Sequence, residues 1–301
     1  MESKIITALK NKKGRELTES TINLYLKQLK SLNDNQPLKN LTFLKNIDEI
    51  DDKIKDYKPN TKRNKLIAIV SVLKELPGQK KLFDMYFEKL NNLNQDINKN
   101  DNGEKSETQK NNWIEWSEVL EIKNNLLDQV NQFKNKKILS KEQYNILLKL
   151  LVLSLYTEQA PRRNADFQKM IISNTKPKEL QKINYLILKP TMKFIYNNYK
   201  SIRTHWQQEF DIPIELQNII KLYLKHRNNK TDYFIVDYDG NPLKNVNSMT
   251  YLLNNIFDKK ISSSMLRHIY LSKYENINEE QKKDSKAMAH SIGTQAYYIR
   301  K

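Results

Sequence analysis

Residues 140–157 read SKEQYNILLKLLVLSLYT. Ser140 and Gln143 have the spacing of a capping box, in which two side chains hydrogen-bond each other's backbone N–H at the start of a helix. The apolar residues that follow cover nearly every face of that helix, and a helix that is apolar all round is buried. The stretch therefore predicts the central helix of a globular domain, ending before Pro161.

Short strands and amphipathic helices are expected after this central helix. The segments 183–188 (INYLIL) and 192–196 (MKFIY) have the composition of strands, and 233–243 (YFIVDYDGNPL) has that of a strand and turn. The spacing of apolar residues predicts further helices at 214–227, 249–257, 264–274 and 279–290. This part of the chain is therefore expected to be mainly α with a small antiparallel sheet.

A polar run separates this part from the N-terminal residues. Residues 98–112, NKNDNGEKSETQKNN, contain no apolar side chain and cannot contribute to a core. We therefore predict a helical domain at 1–95, a linker at 96–112 and a second domain at 113–301.

Two amphipathic helices in the first domain have recognisable starts. Thr18 or Ser20 can cap the first, and Asn60 can cap the second. The second helix is expected to begin with a polar and basic turn made of Thr61, Lys62, Arg63, Asn64 and Lys65. Such a turn can contact phosphates with side chains and backbone N–H groups together, or it can be an ordinary solvated helix end. Both interpretations stay open at this point.

Composition narrows the classes of partner and chemistry. The 301 residues carry a formal net charge of +17. This charge favours a polyanionic partner such as DNA, RNA or an acidic membrane, although a lysine-rich solvated surface would give the same total. The chain has no cysteine, which excludes disulfides, zinc knuckles and thiol catalysis, and its four histidines lack metal-site spacing. We expect no metal and no cofactor.

No segment resembles a targeting or membrane sequence. The N-terminus lacks the apolar run of a signal peptide. No stretch approaches the roughly 20 apolar residues that cross a bilayer. We therefore expect an intracellular, soluble protein with no membrane partner.

Arginine is scarce in this basic chain, with eight arginines against 44 lysines. Arg162 and Arg163 lie together after the buried helix, and Arg267 lies among apolar residues in the first turn of a later helix. Arginine in a semi-buried position suggests that its planar guanidinium binds a carboxylate or a phosphate. A structural ion pair explains the same positions equally well.

Four segments, taken in order, carry a family resemblance. APRRNADF, NNYKS, SSSMLRHIYLS and MAHSIGTQAYY resemble the motifs of the tyrosine recombinase (phage integrase) family in order and spacing. The resemblance covers residues 111–301, and the N-terminal helices resemble the family's core-binding domain more weakly. The integrases of mobile elements and large DNA viruses are the most similar type. The resemblance implies a helical core-binding domain followed by an α+β catalytic domain.

The resemblance implies two active-site arginines and a lysine. The first arginine falls at Arg163, because the acidic residue that usually follows it is then Asp166; Arg162 is the alternative. The lysine, which the family carries on a β-hairpin, falls at Lys200. The second arginine falls at Arg267.

A histidine and a tyrosine complete the implied site. The histidine is His290, and the nucleophile is Tyr298 if the motif is anchored on Thr294; Tyr297 is the alternative, because the histidine-to-tyrosine spacing here is one residue short. Ser264 stands where the family usually has another histidine. A serine can hydrogen-bond a phosphate oxygen but cannot act as a proton donor of suitable pKa.

The resemblance implies metal-independent cleavage and rejoining of DNA strands through a 3′-phosphotyrosyl intermediate. It further implies double-stranded DNA as the partner, self-association into a tetramer on paired DNA sites, and integration or excision of a viral or mobile element. A type IB topoisomerase-like strand transferase and an inactive DNA-binding relative are the alternatives.

Overall fold

A computed structural model divides the chain into two compact units, residues 1–102 and 103–301. The structure describes residues 1–10, 17–100, 103–243, 245, 247–273, 279–291, 293–294 and 298. Within the described residues, no helix has the length and apolar character needed to cross a membrane.

The boundary between the units lies inside the predicted linker, but much of that segment is helical. One helix continues to Asn100, and a capping box between Ser106 and Gln109 starts another. A polar composition excludes a core without excluding a helix, since caps and side-chain pairs stabilise short helices. The assignment of the units to core-binding and catalytic domains stays a prediction.

The N-terminal unit is helical, as predicted. Its α-helices are α1 (Glu2–Lys10), α2 (Glu19–Leu32), α3 (Ile47–Ile54), α4 (Pro59–Glu75) and α5 (Lys80–Asn100), with a 3-10 turn at Thr42–Lys45. Thr18 caps α2 by accepting a hydrogen bond from the Thr21 N–H, which selects one of the two predicted caps. Tyr86, buried in α5, donates to the Leu44 carbonyl and ties α5 to the 3-10 turn.

The predicted cap of α4 is wrong. The helix starts at Pro59, with Lys58 at the N-cap, so Asn60 is already inside the first turn. Proline is favoured at the first helical position because its φ is preset and its missing N–H would have no partner in the helix.

The C-terminal unit surrounds the predicted central helix. Its helices are α6 (Glu107–Asn112), α7 (Trp116–Asn131), α8 (Lys141–Thr157), α9 (Asn164–Gln168), α10 (Ile202–His205), α11 (Ile214–His226), α12 (Ser248–Phe257), α13 (Ser263–Ser272) and α14 (Glu279–Met288). The capping box of Ser140 and Gln143 is present at the start of α8, and the helix is buried from Leu150 to Tyr156. Both predictions for α8 are confirmed.

A four-stranded sheet packs in the same unit. Its strands lie in the order β1 (Ile171–Ser173), β2 (Tyr185–Ile187), β3 (Lys193–Tyr196) and β4 (Gln208–Asp211). The β2–β3 and β3–β4 pairs are antiparallel, but β1 pairs with β2 in parallel. The expectation of an antiparallel sheet is therefore wrong for β1, and the sheet is mixed.

The segment 233–243, for which the sequence predicts a strand and turn, forms only isolated bridges among the described residues. Ile171 pairs with Tyr233, and Val236 pairs with Pro242. The segment is instead held by buried tyrosines. The Tyr223 hydroxyl accepts from the Val236 N–H at 3.0 Å, and Tyr144 donates to the Val236 carbonyl at 3.1 Å. These bonds join α8, α11 and the segment across the core.

Tyr223→Phe is expected to lower the free energy of unfolding by about 1–3 kcal/mol, because the Val236 N–H loses its acceptor in a buried position. Urea unfolding followed by circular dichroism measures the change. Tyr251→Phe is the matched control, since Tyr251 is 59% exposed, and it should leave unfolding unchanged. Equal effects of the two substitutions would contradict the role given to Tyr223.

Candidate active site

The end of α14 presents His290 through a left-handed turn. Ala289 has φ 56°, the His290 N–H donates to the Ser285 carbonyl at 3.0 Å, and the Ala289 N–H donates to the Lys286 carbonyl at 3.2 Å. These bonds form a Schellman motif, in which a left-handed residue closes the helix. The turn directs the chain away from the α14 axis at His290.

Side chains from elsewhere hold the carbonyls of this turn. Gln208 of β4 donates to the Lys286 carbonyl at 2.9 Å, and Ser201 donates to the Ala289 carbonyl at 2.9 Å. Arg162 donates to the Ala287 carbonyl. The last carbonyls of a helix have no partner within the helix. Here they bind the β3–β4 connection (residues 197–207), β4 and Arg162 to the segment that precedes His290.

Arg162 is buried, with 2% of its surface exposed. Its Nε lies 3.0 Å from Asp166 Oδ2, and its Nη1 lies 3.0 Å from Gln208 Oε1. Its guanidinium lies 3.8 Å from the centre of the Tyr196 ring. Protein groups thus take up Nε and Nη1, while Nη2 has no acceptor among the described residues. The contact with Asp166 matches the ion-pair interpretation of the sequence.

Arg163 points to the histidine instead. Its Nη2 lies 3.2 Å from His290 Nε2. Arginine can only donate, so Nε2 must accept and the ring proton must lie on Nδ1. Burial, together with the positive charges of Arg267 and Arg163, lowers the pKa of His290 to about 3. His290 is therefore neutral at physiological pH.

Arg267 of α13 contacts the hydroxyl of Tyr298. Its Nη2 donates to Tyr298 Oη at 2.8 Å, and burial lowers the pKa of its guanidinium. The Tyr298 ring stacks on His290, with centroids 4.9 Å apart and planes 17° apart. His268 Nδ1 lies 2.5 Å from the Tyr298 carbonyl oxygen, so this ring nitrogen donates. The structure thus brings Arg163, Arg267, His290 and Tyr298 together.

Several buried donors at this cluster have no acceptor. Among the residues that the structure describes, Arg163 Nη1, Arg267 Nε and Nη1, and His290 Nδ1 lack a hydrogen-bond partner. A buried donor without an acceptor costs about 1–3 kcal/mol, and more when it is charged. An anion with several oxygens, such as a phosphoryl group, would satisfy these donors and offset the repulsion between the two arginines.

Of the other residues that the sequence predicts for the site, two are exposed and one lies outside the described residues. Lys200 is exposed in the connection between the antiparallel strands β3 and β4, and its catalytic role stays a prediction. Ser264 is exposed in the first turn of α13. Tyr297 lies outside the described residues.

The predicted phosphate-contacting turn of α4 belongs to the N-terminal unit, and its residues differ in solvent exposure. Arg63 and Asn64 are exposed, and Thr61 and Lys62 are half-buried. Lys65 is buried, with its ammonium 2.6 Å from Ser31 Oγ. Lys65 thus serves the packing of the unit, because the helical period turns the fifth residue of this run inward.

Sequence reasoning missed the residues that position the site. His268, next to Arg267, contacts the Tyr298 backbone, and no sequence pattern marks it as part of the site. Gln208 of β4 and Ser201 of the β3–β4 connection carried no signal, because single polar residues form no pattern. Their partners, one in α14 and one just after it, are 78 and 88 residues away in the chain.

Arg162→Met is expected to lower the free energy of unfolding by about 3–5 kcal/mol, because the Asp166 carboxylate is left buried without its partner. The double variant Arg162→Met/Asp166→Leu should recover part of this loss, since the stranded charge is gone. Denaturant unfolding of the single and double variants measures the coupling. A double variant that loses the full sum of the two single effects would contradict the pairing.

Comparison with family models and with curated proteins finds no match for this chain. Among solved structures, the crystal structure of XerA recombinase is similar with 12% sequence identity and a TM-score of 0.42, over 100% of this chain and 92% of that chain. Identity and score at this level do not establish a shared function, so function is inferred from the geometry of the site.

Proposed function

We propose that this chain is a site-specific DNA recombinase or integrase, which cleaves and rejoins strands through a 3′-phosphotyrosyl intermediate. The observation that carries the proposal is the contact between Arg267 and the Tyr298 hydroxyl, at a cluster of buried donors without acceptors. A hydroxyl beside an anion-binding cluster is the arrangement that in-line attack on a phosphodiester requires.

In the proposed reaction, Tyr298 Oη attacks phosphorus and the bond to the 5′ oxygen breaks. Arg163 and Arg267 bind the non-bridging oxygens and stabilise the negative charge that develops on them. Neutral His290 donates through its Nδ1–H to the same phosphoryl group. The Tyr298 proton is released to water, and Lys200 protonates the leaving 5′ oxygen. Arg162 and Tyr297, the alternatives from the sequence, are not given roles in this step.

The intermediate determines the class of overall reaction. The phosphotyrosyl bond conserves the energy of the phosphodiester, so the 5′ hydroxyl of a second strand can reverse the step and exchange partners. We propose that this exchange integrates or excises a viral or mobile element, in a tetramer on two paired DNA sites. The N-terminal unit would contact phosphates through Thr61, Lys62, Arg63 and Asn64. The net charge of +17 supports a duplex partner.

A second candidate is a DNA-binding protein that does not cleave. It is favoured by one observation, the exposed serine at position 264 in place of a histidine. This candidate predicts tight binding to DNA without any covalent product.

Covalent trapping tests the first proposal. A nicked duplex carries a sequence that the protein has selected from a randomised pool, and adducts are separated on a denaturing gel. Tyr298→Phe is expected to abolish the adduct, because no nucleophile remains, whereas Tyr297→Phe should retain it. Loss of the adduct in Tyr297→Phe alone would move the nucleophile to Tyr297. With no adduct from the parent protein on bound duplex, the non-cleaving candidate replaces the first.

Arg267→Lys is expected to lower the single-turnover rate of strand cleavage by about 10²–10³-fold, since a lysine cannot contact both Tyr298 and the phosphoryl group with one planar fork. The DNA dissociation constant should change much less. Quenched-flow cleavage and fluorescence anisotropy measure the two quantities.

Arg227→Lys is the matched control for loss of a buried arginine. Arg227 donates to the Thr231 and Tyr233 carbonyls in a loop of the same unit. The Arg227→Lys substitution should lower the free energy of unfolding, while the cleavage rate of the folded variant stays near that of the parent protein. Equal rate losses in the two variants would indicate that Arg267 acts through the fold alone.

A further inference from the structure

The β3–β4 connection holds a tryptophan that the proposed reaction does not use. Trp206 is 76% exposed, the most exposed aromatic side chain among the described residues. Its backbone has φ 56° and ψ −168°, a conformation that is occupied almost only by glycine. An apolar ring in solvent and a strained backbone both oppose folding. Trp206 ends α10, and its N–H donates to the Ile202 carbonyl at 2.8 Å, so the end of the helix accounts for the positive φ. The packing of the unit gives no such reason for the exposed ring.

The backbone of Trp206 is nevertheless fixed. The Tyr199 hydroxyl donates to the Trp206 carbonyl at 2.5 Å. Tyr199 is buried, and its ring lies 5.1 Å from the Arg162 guanidinium. Ser201 ties the same connection to the Ala289 carbonyl. The residues that fix the Trp206 backbone thus also contact the segment that positions His290. Backbone strain that the surrounding structure maintains is typical of functional sites.

The charge of the connection indicates the kind of partner. Residues 197–207 include Lys200, Arg203 and His205 and no acidic residue. Basic side chains beside an exposed aromatic ring are the combination with which proteins bind unstacked nucleobases, since every base offers a face for stacking. A polyanion with aromatic faces therefore fits this surface better than a protein or a lipid does.

We propose that Trp206 stacks on the face of a nucleobase next to the phosphodiester that Tyr298 attacks. This inference rests on the proposed function, because it takes DNA as the ligand. Trp206 binds and takes no part in the covalent step. Stacking of this kind tolerates any base, so the contact holds a displaced base in place without reading its identity.

Affinity measurements test the contact on the selected duplex, with a nick at the cleavage position. Trp206→Ala is expected to weaken binding by about 5- to 150-fold, the effect of losing one stacked base. The slope of log Kd against log salt should not change, because no phosphate contact is lost. Trp206→Phe should retain most of the affinity. Tyr251→Ala, which removes another exposed aromatic ring of the same unit, should bind as the parent does.

Abasic scanning identifies the partner base. One abasic residue is placed at each position of the duplex in turn. At the stacked position, the abasic residue should weaken DNA binding by the parent protein and leave DNA binding by Trp206→Ala unchanged. In a double-mutant cycle this result indicates direct contact. Trp206→Gly, whose backbone suits the strained conformation, repeats the experiment if the alanine variant does not fold.

The outcomes separate this inference from the proposed function. If Trp206→Ala and Trp206→Gly both bind the duplex as tightly as the parent protein does, the stacking inference is wrong. The proposed strand cleavage is unaffected by that result. The stacking inference is also wrong if, at every abasic position, the losses of affinity caused by the abasic residue and by Trp206→Ala are additive. Coupling at one position near the nick supports stacking, even if no variant forms a tyrosyl adduct. Unchanged DNA affinity with weaker self-association assigns Trp206 to a second copy of the chain, which overturns the inference.

Discussion

The candidate site depends on the burial of one guanidinium, that of Arg162. A buried ion gives up several kcal/mol of hydration, so its donors must find partners in the protein. These partners come from four separate elements, and the planar fork allows few arrangements of them. The partners are Asp166 of α9, Tyr196 of β3, Gln208 of β4 and the Ala287 carbonyl of α14. The position of His290, three residues after Ala287, follows from this arrangement.

The adjacent arginine has the opposite role. Arg162 directs its Nε and Nη1 donors to the protein and leaves only Nη2 without an acceptor among the described residues. Within the same residues, Arg163 makes its one side-chain hydrogen bond to His290, and Arg267 makes its one to Tyr298, so both direct their donors to the candidate site. Two cations in a region of low dielectric repel each other, and a protonated histidine beside them would add a third charge. The pKa of His290, lowered to about 3, avoids that third charge. The cluster is therefore unfavourable for folding and favourable for binding an anion, a trade that functional sites commonly make.

The parts of the structure that could be predicted are those with local signals. The capping box and the all-round apolar pattern of α8 depend only on residues close together in the chain. The structure has both the capping box and the buried helix. The strands β1 and β4 have no comparable pattern, and the parallel β1–β2 pairing depends on contacts between distant segments. Spacing alone could not separate Arg162 from Arg163, because burial distinguishes them and the partners of Arg162 lie up to 125 residues away. The choice between Tyr297 and Tyr298 stays a prediction.

Two residues show why the exact position of the site could not be inferred from the sequence. Ala289 and Trp206 both have a positive φ, yet neither type of residue favours it. A glycine at position 289 would have signalled a helix end, and an alanine there costs roughly 1–2 kcal/mol. Bonds from Gln208 and Arg162 to carbonyls of α14, and from Ser201 to the Ala289 carbonyl, stabilise the turn instead. Because those bonds come from the β3–β4 connection, β4 and Arg162, the position of His290 depends on residues that are distant in the chain, and no local sequence pattern could show it.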